Sequence, residues 1–448
     1  MKRKVRSSKA RPMSDKAKTT SLITSRTLAA FILFVMANVL IVSAVPKEKK
    51  ELTAKILTNN PNEKRQKGRW VWWVSRNYLK DHPDADIALM GSSMMSSAVY
   101  SSEANYLQKN VDCVTDKKSE MLSDMLEERL SVDKKAYVFA MGGAMASDHY
   151  LVSNTLFNEK HKPKLVVVGV NPRDFIDNTM PSVSSTEPFY FLAPYANLGA
   201  LSDSAFIDPI ERLEWIINDH LPIMAVGRVI KDTIPKLSRQ ASDKLSIALT
   251  GKSNLKDPVA DQGEEEKVAS AGKETKTTED VLNAIYGKQS EVKPGVWVIP
   301  PRPFYHFVNN MHEYKRRYKN AYPSIYEPQK RFFNAFLKDL KDKDIEVLVL
   351  GMPSLWPNRA LLPDKFWNDF RQSISTSCEK NGATWVDLTA DKRFNNRDYL
   401  DTVHLNRRGG DKLLEIIADQ IKTRDNLASS LTGKDSAIAG KTKPKTWH

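Results

Sequence analysis

Ile87-Ala88-Leu89-Met90-Gly91-Ser92-Ser93 is the stretch that decides the fold. A short apolar run follows the polar Asp81-His82-Pro83-Asp84 and stops at a glycine and two hydroxyls, the pattern of a buried strand ending in a tight turn. Four further runs have the same character: residues 136–140 (Ala-Tyr-Val-Phe-Ala), 165–170 (Leu-Val-Val-Val-Gly-Val), 345–350 (Ile-Glu-Val-Leu-Val-Leu) and 384–388 (Thr-Trp-Val-Asp-Leu). Between them apolar residues recur at helical spacing, as in Phe332, Phe333, Phe336, Leu337 and Leu340, and again in Leu413, Leu414, Ile417 and Ile421. Strands alternating with helices predict an α/β domain with a parallel sheet flanked by helices, over residues 84–424. Ligands of such sheets bind beyond the carboxyl ends of the strands. Gly91-Ser92-Ser93, Gly142-Gly143 and Asn171 all fall at such ends.

Near the C-terminus the chain reads Asp401-Thr402-Val403-His404. A carboxylate three residues before an imidazole can orient it as a base, provided that a nucleophile arrives from elsewhere in the fold. Ser93, or its neighbour Ser92, is the candidate nucleophile. Gly143 or Gly142 would let a backbone N–H approach a ligand closely, and the Asn171 amide can donate a hydrogen bond; both functions suit a developing oxyanion. Each signal also has a plain structural meaning. Gly-Ser-Ser and Gly-Gly are ordinary turn chemistry, an Asn before Pro starts turns, and Asp401 with His404 suits a helix-capping pair near Gly409. Their order at successive strand ends favours the catalytic reading. The chain has no Gly-x-Ser-x-Gly, His-Glu-x-x-His, Cys-x-x-Cys, Gly-x-x-x-x-Gly-Lys-Ser/Thr or Gly-x-Gly-x-x-Gly. His149 reads as a surface or supporting residue.

The formal charge of +14 over 448 residues is concentrated in the tails. Residues 1–26 hold nine Lys/Arg and one Asp, a net of +8, and residues 423–448 hold five and two, a net of +3, which leaves +3 between. A nucleic-acid groove is therefore poorly supported. Residues 27–45 are a charge-free apolar run of 19, about the length that spans a bilayer as a helix. The basic residues before it would keep the N-terminus in the cytoplasm and place the rest of the chain outside, in a single-pass inner-membrane topology. Cleavage near Val42-Ser43-Ala44 is the alternative, without a clear Ala-x-Ala. Residues 46–83 read as a stalk and leading helix. Trp70, Trp72 and Trp73 suit either the membrane interface or, preferably, a helix packed on the domain. Residues 176–327 read as an insertion, with 251–293 too polar to order, and residues 425–448 as a flexible basic tail. Cys113 and Cys378 are too few for a disulfide framework; pairing and two buried thiols both remain open.

Gly91-Ser92-Ser93, Gly143 (or Gly142), Asn171 and Asp401-x-x-His404 together resemble the blocks of the SGNH (GDSL-like) hydrolase superfamily, over roughly residues 84–175 and 343–422. Ser92 stands where the common family pattern has Asp. The resemblance implies a flavodoxin-like sheet, Ser93 as nucleophile, His404 as base and Asp401 as its orienter. It also implies an oxyanion hole of the Ser93 N–H, Gly143 and Asn171, with no cofactor and no metal. With the apolar N-terminal run, the chain is most similar to the membrane-tethered branch that serves teichoic acid D-alanylation and alginate O-acetylation. Asn171-Pro172-Arg173-Asp174-Phe175 and Asn358-Arg359-Ala360-Leu361-Leu362-Pro363 also resemble that branch. It implies an esterase or O-acyltransferase acting on a cell-surface glycan beside a multi-spanning membrane acyltransferase. A non-catalytic scaffold for such a partner is the alternative, and a plain carbohydrate-binding protein a third reading.

Overall fold

A computed structural model describes residues 70–81, 84–206 and 307–433, with a few isolated positions besides. The basic N-terminal tail, most of the apolar run and stalk, and residues 251–293 lie outside the described residues. Three positions of the apolar run, Ile32, Leu33 and Met36, are described; they are helical and exposed. Among the described residues no helix is long and apolar enough to cross a membrane. All that follows concerns the compact unit formed by Glu48–Trp215 and Lys256–His448.

Five strands, β1 (Ile87–Gly91), β2 (Ala136–Val138), β3 (Leu165–Val170), β4 (Glu346–Gly351) and β5 (Thr384–Asp387), form one parallel sheet. Their spatial order is β2-β1-β3-β4-β5, the 2-1-3-4-5 order of doubly wound sheets of the flavodoxin type. Every residue of β1 and β3 is buried, as befits parallel strands covered on both faces. The ladder of β2 ends at Val138, two residues short of the apolar run, because the chain then turns into Gly142-Gly143; Phe139 and Ala140 still donate to the Leu89 carbonyl. A short antiparallel pair of Val111–Asp112 with Val298–Ile299 stands apart from the main sheet.

The helices used below are α1 (Trp70–Asp81), α2 (Ser93–Tyr106), α3 (Glu120–Leu130), α4 (Ala146–Leu156), α5 (Arg173–Ile176), α6 (Met311–Arg317), α7 (Tyr326–Asp342), α8 (Asp364–Asn381), α9 (Arg407–Thr423) and α10 (Asp425–Thr432). Helix α9 packs on α2 and α3, while α7 packs on α4 and α8, one set on each face as right-handed crossovers require. The apolar stripe of α7, from Phe332 to Leu340, is buried. Helix α1 carries the tryptophan cluster. Its Val71, Trp72, Val74 and Tyr78 are buried, so the cluster is the face of a helix packed on the domain.

Two expectations need correction. The tail does not begin at residue 425: Asp425–Thr432 is helical, and Leu427 and Leu431, one turn apart, are buried against the domain. Residues 434–448 lie outside the described residues. Within the insertion, residues 307–317 build on the loop that carries Asp401 and His404. His149 is neither at the surface nor part of the site. It is a core residue of α4 with its ring 5.9 Å from that of Phe336, and burial pushes its pKa down to about 4. Cys113 and Cys378 are both free and buried.

Candidate active site

Gly91 ends β1 with φ of +150°, and a Cβ there would lie 2.7 Å from that of Met95. Only glycine lets the chain turn this tightly from strand into helix. Ser92 then takes the N-cap position of α2 and Ser93 the first helical position. The Ser93 N–H consequently has no partner within its own helix and is free to serve a ligand. The two hydroxyls diverge. Ser92 is buried and its Oγ accepts from Asn171 Nδ2 at 3.3 Å, whereas Ser93 is partly open and meets His404.

His404 comes from the other end of the chain. Asp401 Oδ1 accepts from the backbone N–H groups of Val403 and His404, both at 2.8 Å, which closes the loop on itself. Its other oxygen, Oδ2, is left 2.5 Å from His404 Nδ1. The three-residue spacing is thus what lets one carboxylate hold both the turn and the ring. His404 Nε2 lies 2.8 Å from Ser93 Oγ. With the Nδ1 proton directed at Asp401, Nε2 is the acceptor for the serine hydroxyl. Burial works against charge on either partner. Even so, His404 and its hydrogen bonds hold the Asp401 carboxyl below its ordinary value, and Asp401 raises His404 above its own. The helix-capping alternative for this pair fails, because Asn406 caps α9 through bonds from the Arg408 and Gly409 N–H groups.

What brings the serine and the histidine together is the seam between α2 and the start of α9. Ser97 Oγ donates to the Leu405 carbonyl at 2.9 Å, Ser102 Oγ to the Arg407 carbonyl at 3.3 Å, and Arg407 Nη1 to Asn105 Oδ1 at 2.7 Å. Gly410 allows this approach, since a Cβ there would fall 2.2 Å from the Ala98 carbonyl oxygen. On its far side the loop is held by the end of the insertion and by the segment after β4. Asn310 Oδ1 accepts from the Thr402 N–H at 3.1 Å, Val308 N donates to the Leu400 carbonyl, Leu355 N to that of Thr402, and Asn358 Nδ2 to Thr402 Oγ1. Helix α6 follows directly, and its Glu313 and Arg317 act electrostatically on His404. Sequence reasoning missed this contribution; the only local signal was Tyr314 and Tyr318, one turn apart and both buried.

The remaining candidates gather at neighbouring strand ends. Met141 N donates to the Gly91 carbonyl at 3.1 Å, which sets Gly142-Gly143 beside the start of α2. Gly143 is exposed with φ of +80°, while a side chain on Gly142 would strike Trp70, at 2.6 Å. Both glycines are exposed, but only Gly143 takes a positive φ, and only Gly142 has a ring standing against its backbone. Asn171 arrives at the same place but does not present a free amide. Its Nδ2 donates to Asp174 Oδ2 at 2.8 Å as well as to Ser92. Burial raises the Asp174 carboxyl to about 7 despite Arg173, Ser92 and Asn171. Among the described residues no group of three or more His, Cys, Asp or Glu side chains is placed to hold a metal ion. Compared with known proteins, the chain matches no protein-family description and no curated sequence.

Proposed function

We propose that this chain is an SGNH-like serine esterase or O-acyltransferase, anchored by residues 27–45 and acting outside the cytoplasmic membrane on a cell-surface or exported glycan. The observation that carries the chemistry is the continuous relay Asp401–His404–Ser93, with contacts of 2.5 and 2.8 Å, at the carboxyl edge of a parallel sheet where ligands of such folds bind. The block order of the resemblance and the 2-1-3-4-5 strand order support the family. The apolar run and its basic flank support the location.

In this reading His404 Nε2 takes the Ser93 proton as Oγ bonds to the acyl carbon, and the carbonyl electron pair moves onto oxygen. The Ser93 and Gly143 N–H groups receive that charge. Collapse breaks the ester C–O bond, and the departing alcohol leaves with the proton from His404. A glycan hydroxyl, or water, then attacks the acyl-serine as His404 takes its proton; the acyl C–Oγ bond of Ser93 breaks, and His404 returns the proton to Oγ. Turnover of p-nitrophenyl acetate by the purified full-length chain, lost in Ser93→Ala, tests this; activity unaffected by that change refutes it.

One observation favours a second reading, a non-catalytic scaffold beside a multi-spanning membrane acyltransferase: the Asn171 amide is engaged away from Ser93. Full rescue of a deletion strain by the Ser93→Ala/His404→Ala variant would select the scaffold.

A further inference from the structure

With Asn171 engaged, the oxyanion hole needs another donor, and Arg173 is built to be one. Strand β1 lies between β2 and β3. Arg173 starts just past the end of β3, yet its Nη1 donates at 2.8 Å to the Ala144 carbonyl, just past the end of β2. The guanidinium therefore spans the end of β1, which carries Ser92 and Ser93. Its Nε is fixed to Asp177 Oδ2 at 3.0 Å, and Asp177 is held in turn by Arg317 of α6. Nη2 donates to nothing among the described residues. The Arg173 side chain keeps 10 % of its surface open to solvent. Nη2 lies 3.9 Å from the position a Gly143 Cβ would take, beside the exposed left-handed turn.

We propose that Arg173 Nη2 is the third donor of the oxyanion hole, acting with the Ser93 and Gly143 N–H groups, while Asn171 holds Ser92 and Asp174 in place. This rests on the acyl-transfer reading above. A planar fork pinned at Nε and Nη1 presents its remaining N–H groups without reorganisation, and a charged donor strengthens most as negative charge develops on the carbonyl oxygen.

The test uses the full-length chain with p-nitrophenyl acetate as substrate and phenylboronic acid as the tetrahedral mimic. Arg173→Met lowers kcat by about 10²–10³-fold with little change in KM, the loss typical of one oxyanion donor, and weakens the boronic acid by a similar factor. Asp177→Asn breaks the same ion pair but keeps the donor, and so loses much less of either. An Arg173→Met variant with near wild-type kcat, or one no worse than Asp177→Asn, overturns the proposal. Should the methionine variant melt below assay temperature, Arg173→Lys, which keeps the cation without the fork, is read by the same two measurements. Absence of any Ser93-dependent turnover in the unmodified chain is a different result: it refutes acyl transfer itself and the proposal with it.

Discussion

His404 Nε2 accepts the Ser93 hydroxyl proton across 2.8 Å, although the two residues are 311 positions apart in the chain. Ser92, one residue earlier, faces Asn171 instead. Ser93→Ala should therefore lower ester turnover by about 10⁴–10⁶-fold, the scale of losing the nucleophile of such a unit. Ser92→Ala removes the buried hydrogen bonds that join Ser92 to Asn171 and Asp174, each worth about 1 kcal/mol, and should lower the melting temperature while keeping kcat within about tenfold. Steady-state kinetics and thermal melts on the two variants check both halves. A Ser92→Ala variant as dead as Ser93→Ala would contradict the assignment.

Asp401 raises the His404 pKa, and His404 is a base only when neutral. Turnover should accordingly rise with pH through a midpoint above the ordinary histidine value of about 6.5. Asp401→Asn removes the charge that favours the imidazolium. Its midpoint should move to lower pH while the plateau falls by about 10⁴-fold, since the imidazole loses its tautomer and orientation. Profiles of kcat/KM against pH for the two proteins measure both effects, and an unmoved midpoint would show that Asp401 does not set the base.

The parts of this site that were legible in the sequence are those whose cause is local. Strands β1 and β3 read as continuous apolar runs because both faces are covered, and Asp401-x-x-His404 reads as a unit because the carboxylate closes its own loop. The choice between Ser92 and Ser93 was not legible. It depends on the rotation of the first turn of α2, which packing against α9 fixes. Asn310, Glu313 and Arg317 were hidden for the same reason: they reach the His404 loop across the fold, from a segment whose own pattern suggested only an insertion. The reach of Arg173 over the end of β1 follows from strand order, and no spacing in the sequence records it.

Lys117 is fully buried, with Nζ 2.7 Å from the Cys113 carbonyl oxygen, 3.2 Å from the Tyr100 hydroxyl and near the Trp70 and Tyr100 rings. Burial pushes its pKa down to about 7. Between that value and the unfolded lysine value of about 10.4 the unfolded chain binds more protons than the native one, so stability rises with pH across this window. Lys117→Met keeps the length of the side chain and removes the cation. It should flatten that rise and leave the variant relatively more stable at pH 7 and below, where the buried charge costs most. Urea melts from pH 6 to 10 compare the slopes; parallel curves for the two proteins would exclude Lys117 as the source.

Gly410 lies where α9 crosses α2, and a Cβ there would fall 2.2 Å from the Ala98 carbonyl oxygen and 2.4 Å from Ser102 Oγ. The Ala98 carbonyl is backbone and cannot yield without moving α9 away from the helix that begins at Ser93. Gly410→Ala should therefore cost about 1–3 kcal/mol of stability through overpacking, and it should cost activity beyond that, because displacing α9 lengthens the Ser93–His404 contact. Gly382→Ala separates these effects. Its residue has φ of +75° and open space around it, at the end of α8, so the change should cost about 1–2 kcal/mol of backbone strain alone. With both variants assayed well below their melting temperatures, Gly382→Ala should react with a serine-directed phosphonate at the wild-type rate and Gly410→Ala far more slowly. Equal labelling rates would mean that the Gly410 seam stabilises the fold without aligning the serine with its base.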